Sequence, residues 1–284
     1  MITSHFPRII WMYWHSGAEN MPEECKKCWE TYKKYNPLWE IIIVSDNNLL
    51  CYLDDYISSN IKKSTLRVSH KSDLIRIALL NKYGGVWADL TSICVDSLEW
   101  IQQYKNASIL LFSYDTKDDI SSWWIACTRN SIISSIFYNE FVTLIEKNNW
   151  KYISEYFVFH ELFKKLCRTN PIFLEEYNKS PILSSKRAHI LQKDLNSSLN
   201  TEFIKKVNNL DNHIYKLKGR SQGSINIHGN TNAAYLFDYL LTGNTEWGDI
   251  IIKQNNYMIV SILILILILI LILILIIIIF STLP

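Results

Sequence analysis

Residues 72–92 read SDLIRIALLNKYGGVWADLTS, and two changes of pattern inside this stretch decide the fold. Residues 72–82 suit a helix, with Ser72 as its N-cap and Gly84 placed to end it. The apolar run after Gly85 suits a buried strand that stops on Asp89. The chain must leave the helix and begin the strand across two glycines, which tolerate the positive φ such a reversal can need. Leu74, Ile75, Ile77, Ala78, Leu79 and Leu80 make the helix apolar nearly all round, the pattern of a buried helix. Asp73 and Arg76, spaced i and i+3, share one of its faces. A charged pair there is costly unless partners or a ligand satisfy it. The pair is either an intrahelical ion pair that props the turn or part of a binding site.

Working outward, residues 8–14 (RIIWMYW) read as a first buried strand and 39–46 (WEIIIVSD) as a second. Helices are predicted over 22–34 and 47–57, so the chain opens β-α-β-α. Short connections of this kind favour an α/β fold with a mixed, mainly parallel sheet. Residues 107–113 and 121–127 read as two further strands, and 131–147, 151–167 and 233–241 as helices. Residues 169–212 are mixed and rich in Asn and Ser, with no readable order. In an open α/β sheet ligands bind at the carboxyl ends of the strands. Asp89, Asp46 and residues 14–17 should therefore gather on one edge.

The chain has 284 residues, 10 Trp, 16 Tyr and a net charge of +2, so no basic field points to nucleic acid. Six cysteines in this length do not suggest a disulfide scaffold. The first residues lack a basic segment followed by an apolar one, so no signal peptide is read and reduced, cytosolic thiols are expected. Cys25 and Cys28 form a lone CxxC on a predicted helix, read as two helix residues rather than a zinc site.

Residues 258–280 are almost wholly Ile and Leu. As a helix they would extend about 34 Å, against about 30 Å for a hydrocarbon core. Insertion would be favoured by roughly 10 kcal/mol. A simple-sequence expansion would give the same composition, but a segment this apolar enters a bilayer either way. The expected division is a main domain over 1–241, a linker over 242–256 and a single-pass C-terminal anchor over 257–280. Lys253 precedes the apolar run and no cation follows it, which favours a cytoplasmic main domain.

The stretch at 72–92 resembles the core motif of family 32 glycosyltransferases: S-D-x-x-R, then Y-G-G, a hydrophobic residue, and D-x-D. The closer similarity is to the capsular polysaccharide synthesis protein family within that group. RIIWMYWHSG with the segment at 21–49, ISSWWIA and EYFVFHELF carry the resemblance in order across residues 6–220. It implies a GT-A-type, Rossmann-like fold, a nucleotide-sugar donor, a glycan or glycolipid acceptor, retention of anomeric configuration and Mn²⁺ or Mg²⁺ as cofactor. It implies that Asp73 and Arg76 hold the donor sugar, that Asp89 and Thr91 hold the metal, and that Trp11 stacks on the nucleobase; core packing is the other reading of Trp11. Hard cations prefer oxygen ligands, and a cation near the diphosphate would stabilise the charge of the leaving group. The departure is Thr91, a hydroxyl where the full motif has a second acid, although D-x-T is common in the capsular family.

Trp123 and Trp124 are candidates to face a sugar, one of them being core by strand alternation. His160 reads as a satisfied core histidine, and His228 as a late metal ligand or a loop residue. Two other classes compete. A non-catalytic module would bind nucleotide-sugar or glycan without turnover. A phosphohydrolase would use Asp89 as nucleophile but leaves Asp73 and Arg76 without a role.

Overall fold

The bulky run at the start of the chain forms β1 (Ile9–Tyr13) in a computed structural model that describes residues 6–219 and 223–282. Ile10 and Met12 enter one core and Trp11 and Tyr13 the other, as in a strand covered on both faces. Next comes α1 (Glu23–Tyr35), with acids in its first turn and lysines in its last, matched to the helix dipole. Cys25 and Cys28 are both buried on it. β2 (Glu40–Val44) then pairs parallel with β1, Trp11 opposite Ile42.

The helix predicted over 47–57 is divided. A single 3₁₀ turn over Leu49–Cys51 precedes α2 (Asp55–Lys63), because Asp54 accepts from the Ile57 N–H at 2.9 Å and caps a new start. The following helix, α3 (Val68–Tyr83), begins a turn earlier than its serine suggested. Ser72 is therefore inside the helix rather than capping it. Arg67 at the N-cap is tied to the Tyr152 hydroxyl and the Ser154 carbonyl, so long-range contacts fix the start.

β3 (Gly85–Ala88) lies parallel to β1 on the side away from β2. The short β4 (Ser92–Cys94) leaves that sheet, while β5 (Ile109–Ser113) and β6 (Ile120–Cys127) return to it, β6 antiparallel to both β3 and β5. Then follow α4 (Ile132–Lys147), α5 (Val158–Thr169), α6 (Pro171–Asn178), β7 (Leu183–Ser184) and the single turn α7 (Ser185–Ala188). The sheet order is β2-β1-β3-β6-β5-β7, an α/β architecture with a mixed, mainly parallel sheet. The crevice where strand order reverses lies between β1 and β3.

Two compact units divide the chain. The first, Met1–Lys193 with Asp211–Ile225, holds the sheet. Outside the sheet, its last strand, β8 among the labels here (Ile214–Lys216), pairs antiparallel with β4, setting Lys216 opposite Ser92. The second unit, Asp194–Leu210 with Asn226–Pro284, contains α8 (Thr201–Asn208), α9 (Asn232–Thr242) and α10 (Glu246–Thr282). The segment expected as a linker is thus helical from Glu246. Gly248–Ile274 is long and apolar enough to cross a membrane by length and composition.

The Gly-Gly turn between α3 and β3 uses both residues. Gly84 has φ +69° and Gly85 φ +91°. A Cβ on Gly85 would stand 2.5 Å from the Ile9 carbonyl oxygen, and one on Gly84 2.7 Å from the Arg129 nitrogen. Gly85→Ala is expected to cost about 2 kcal/mol or more through strain and clash. That corresponds to a Tm lower by roughly 4–8 °C for a chain of this size. Gly223→Ala, at a glycine with open space around it, should leave Tm unchanged. Scanning fluorimetry of the detergent-solubilised chain reads both.

Candidate active site

Three segments of the first unit converge on the carboxyl edge of the parallel strands. α3 supplies Asp73 and Arg76, 6% and 3% exposed. The end of β3 supplies Asp89, and the β4–β8 pair supplies Lys216. Arg76 donates through Nη1 to Asp73 Oδ1 and through Nη2 to Asp89 Oδ1 at 3.1 Å. The guanidinium also lies 4.7 Å from the centre of the Trp87 ring, whose Nε1 donates to Asp89 Oδ1 at 3.0 Å. Lys216 Nζ donates to Asp89 Oδ2 at 2.7 Å and to Thr91 Oγ1 at 2.6 Å. Two carboxylates and two cations thus form one connected cluster whose formal charges cancel.

The environment separates the two acids. Burial lifts the Asp73 carboxyl above its ordinary value even though Arg76 pulls the other way. Burial also works against the Asp89 carboxylate, but there Lys216 and Arg76 outweigh it and hold the group below its ordinary value. His160 on α5 is pushed down to about 4 by burial and by the Arg76 charge, so its imidazole is neutral at pH 7.

A cleft opens over this cluster as two cavities of about 340 and 740 Å³. Both are lined by Asp89, Thr91, Ser122, Tyr156 and His160, so they are lobes of one depression. The smaller lobe adds Tyr13, Trp14 and His15 from the end of β1, with Ser72, Asp73 and Arg76 from α3. The larger adds Trp123, His189, Glu161, Lys216 and Lys218. Arg76 Nε, His160 Nδ1 and Trp123 Nε1, on side chains that line the cleft, are buried with no hydrogen-bond partner among the described residues.

Residues 3–231 match the family described as capsular polysaccharide synthesis protein. The chain belongs to that family. Curated relatives are more distant: the O-glycosyltransferase PaGT of Phomopsis amygdali is 23% identical over 48% of this chain and 38% of its own. The glycosyltransferase afumC of Aspergillus fumigatus is 23% identical over 50% of this chain and 42% of its own. This family member therefore spans less than half the length of those relatives. Among solved structures, the PaToxG glycosyltransferase matches with TM-score 0.43 and 16% identity, over 62% of this chain and 76% of that one. Mouse xyloside xylosyltransferase 1 matches with TM-score 0.41 and 11% identity, over 76% and 98%.

Against these placements, the expected roles divide. Asp73, Arg76 and Asp89 come together as the motif suggested. Trp11 does not join them. It is 2% exposed, its ring lies against Tyr52 and Tyr83, and its Nε1 donates to the Gly84 carbonyl at 2.9 Å. Trp11 therefore holds the Gly-Gly turn rather than offering a face to a nucleobase; the aromatic residues at the cleft are Tyr13 and Trp14, at the strand end. Of the tryptophan pair, Trp123 lines the larger lobe and Trp124 is core, stacked on Trp100. His160, read as core, lines both lobes, and Lys216 was not singled out at all. His228 lies in the second unit.

The donor set does not fit the metal role expected of Asp89 and Thr91. Both Asp89 oxygens and the Thr91 hydroxyl already accept from Arg76, Trp87 or Lys216. Among the described residues no group of three or more His, Cys, Asp or Glu is gathered to hold a metal ion. Thr91 adds no negative charge to offset a dication.

The displaced His160 titration has a sign that can be checked. Its folded value of about 4 lies below the ordinary 6.5, so the unfolded chain binds the extra proton between these values. Stability then rises with pH across that interval and is lost as pH falls through it. Asp73, raised by burial, acts in the opposite sense above 3.8. In denaturant titrations from about pH 4 to 6.5, stability should rise less with pH in His160→Gln than in the wild type.

Proposed function

We propose that this chain is a glycosyltransferase that moves a hexose from a nucleotide-sugar donor to a glycan or lipid-linked acceptor in surface polysaccharide synthesis. The observation that carries the reading is the Asp73–Arg76–Asp89 cluster set into a cleft at the carboxyl edge of β1 and β3. The GT-A-type assignment and retention of anomeric configuration follow from the family resemblance.

In this reading the donor occupies the smaller lobe. Tyr13 and Trp14 offer aromatic faces to the nucleoside, and Asp73 accepts from a sugar hydroxyl. Arg76 lines the same lobe, and its guanidinium can fork onto a sugar or phosphate oxygen. The donor's diphosphate lies where the lobes meet, over Asp89 and Thr91, within reach of Lys216, and the acceptor occupies the rest of the larger lobe, beside Trp123. In the reaction the bond between the anomeric carbon and the β-phosphate oxygen breaks, its electron pair staying on that oxygen. A new bond forms from the anomeric carbon to the acceptor oxygen, and the acceptor's proton leaves with the nucleoside diphosphate. The fixed donors around the cleft stabilise the charge that grows on the leaving group.

A panel of nucleotide-sugars, read by nucleotide release, tests the activity. One donor should turn over, and Asp89→Ala should lower kcat/KM by at least about a hundredfold, some 2.7 kcal/mol of transition-state stabilisation. Near wild-type turnover in that variant would remove Asp89 from the site. Donor binding with neither hydrolysis nor transfer would favour the non-catalytic module.

We also read residues 1–241 as the transferase domain, 242–256 as the join and 257–280 as a single-pass anchor, with the domain on the cytoplasmic side. The apolar helix supports the anchor by length and composition. In sealed inside-out vesicles, protease added outside should digest the domain; protection from digestion would reverse the orientation.

A further inference from the structure

The lysine that fills the cluster has an unused donor. Lys216 Nζ has three N–H groups. Two are taken, by Asp89 Oδ2 at 2.7 Å and Thr91 Oγ1 at 2.6 Å. The third has no protein acceptor among the described residues, and the side chain lines the larger lobe. Its position is enforced by the fold. Ser92 pairs with Lys216 in the β4–β8 ladder, and the Leu217 N–H donates to the Thr91 carbonyl at 2.9 Å. The backbone therefore holds the ammonium against the residues where a cation was expected.

The charges explain why Thr91 is not an acid. Two carboxylates around a divalent ion sum to zero, and so do one carboxylate and one ammonium. Replacing the second acid by a hydroxyl removes one negative charge, and replacing the dication by a lysine removes one positive charge. A second carboxylate at position 91, with Lys216 still present, would leave the cluster net negative where a diphosphate must bind. Lys218 lines the same lobe two residues on, but it is paired with Glu24 at 3.8 Å, and Asp119 and Glu161 line that lobe too, so Lys216 is the cation placed directly on Asp89 and Thr91 from that side.

We propose that Lys216 is the resident cation of this site, donating to the diphosphate of the nucleotide-sugar where a divalent metal would otherwise sit, so that this chain works without one. This rests on the transferase reading above. The ammonium meets the β-phosphate oxygen as the glycosidic bond breaks and its electron pair moves onto that oxygen. Asp89 and Thr91 keep the lysine in place, as positioning groups rather than metal ligands.

The test uses the full chain in detergent, with UDP, GDP, dTDP and ADP as probes, titrated by calorimetry in EDTA and again in Mn²⁺. The diphosphate that binds should do so with Kd values within about threefold in the two buffers. Lys216→Gln should weaken it by at least about tenfold, and Lys216→Arg should recover most of that loss. The double variant Thr91→Asp, Lys216→Ala should bind Mn²⁺, read as loss of the free-ion signal in electron paramagnetic resonance titrations, where the wild type leaves that signal unchanged. Wild-type binding that is at least about tenfold weaker in EDTA overturns the lysine's role and leaves the transferase reading standing. Lys216→Gln binding as the wild type does also overturns it. If none of the four diphosphates binds in either buffer, both fall together. Should Lys216→Gln not fold by circular dichroism, the wild-type comparison of EDTA with Mn²⁺ decides alone.

Discussion

Asp89 stands partly buried at the end of β3 with a cation on each oxygen, and much of the first unit is arranged to keep it so. Arg76 reaches it from α3 and Lys216 from β8, residues 13 and 127 positions away in the chain. Arg76 is held in turn by Asp73, so losing any one of the four leaves a charge uncompensated in a poorly solvated place. The interaction also explains the local geometry. α3 and β3 have to be joined closely enough for a side chain on the helix to lie over the Trp87 ring and touch the strand's last carboxylate. Gly84 and Gly85, both at positive φ, make that reversal, and Trp11 closes over it from β1.

The helix-to-strand stretch was readable because its information is local. Buried helix, glycines, strand and terminal acid follow one another without interruption, and i, i+3 spacing puts Asp73 beside Arg76 whatever the rest of the chain does. Trp11 was not readable in the same way. A strand covered on both faces has apolar residues at every position, so its pattern does not say which side faces a cleft. Lys216 was invisible for another reason: it arrives through a three-residue strand paired with another three-residue strand, and runs that short have no period to recognise. His160 was misread because aromatic neighbours suit both a core and the wall of a cleft; its own surroundings in space, Arg76 and Asp89, come from other elements.

The cancelled charge of the cluster bears on how the cleft can select a ligand. With two acids against two cations at its centre, and +2 on the whole chain, it offers no strong field to draw in any polyanion. Attraction has to come from single polar groups at fixed positions, such as the Lys216 ammonium and the Arg76 guanidinium, which line the cleft. Such contacts are directional and lie in a low-dielectric place, so salt screens them less than it screens an open charged surface. They reward a ligand whose oxygens meet those donors while its flat faces lie on Tyr13, Trp14 or Trp123. A free phosphate satisfies part of that arrangement. A diphosphate carrying a base at one end and a sugar at the other can satisfy all of it at once.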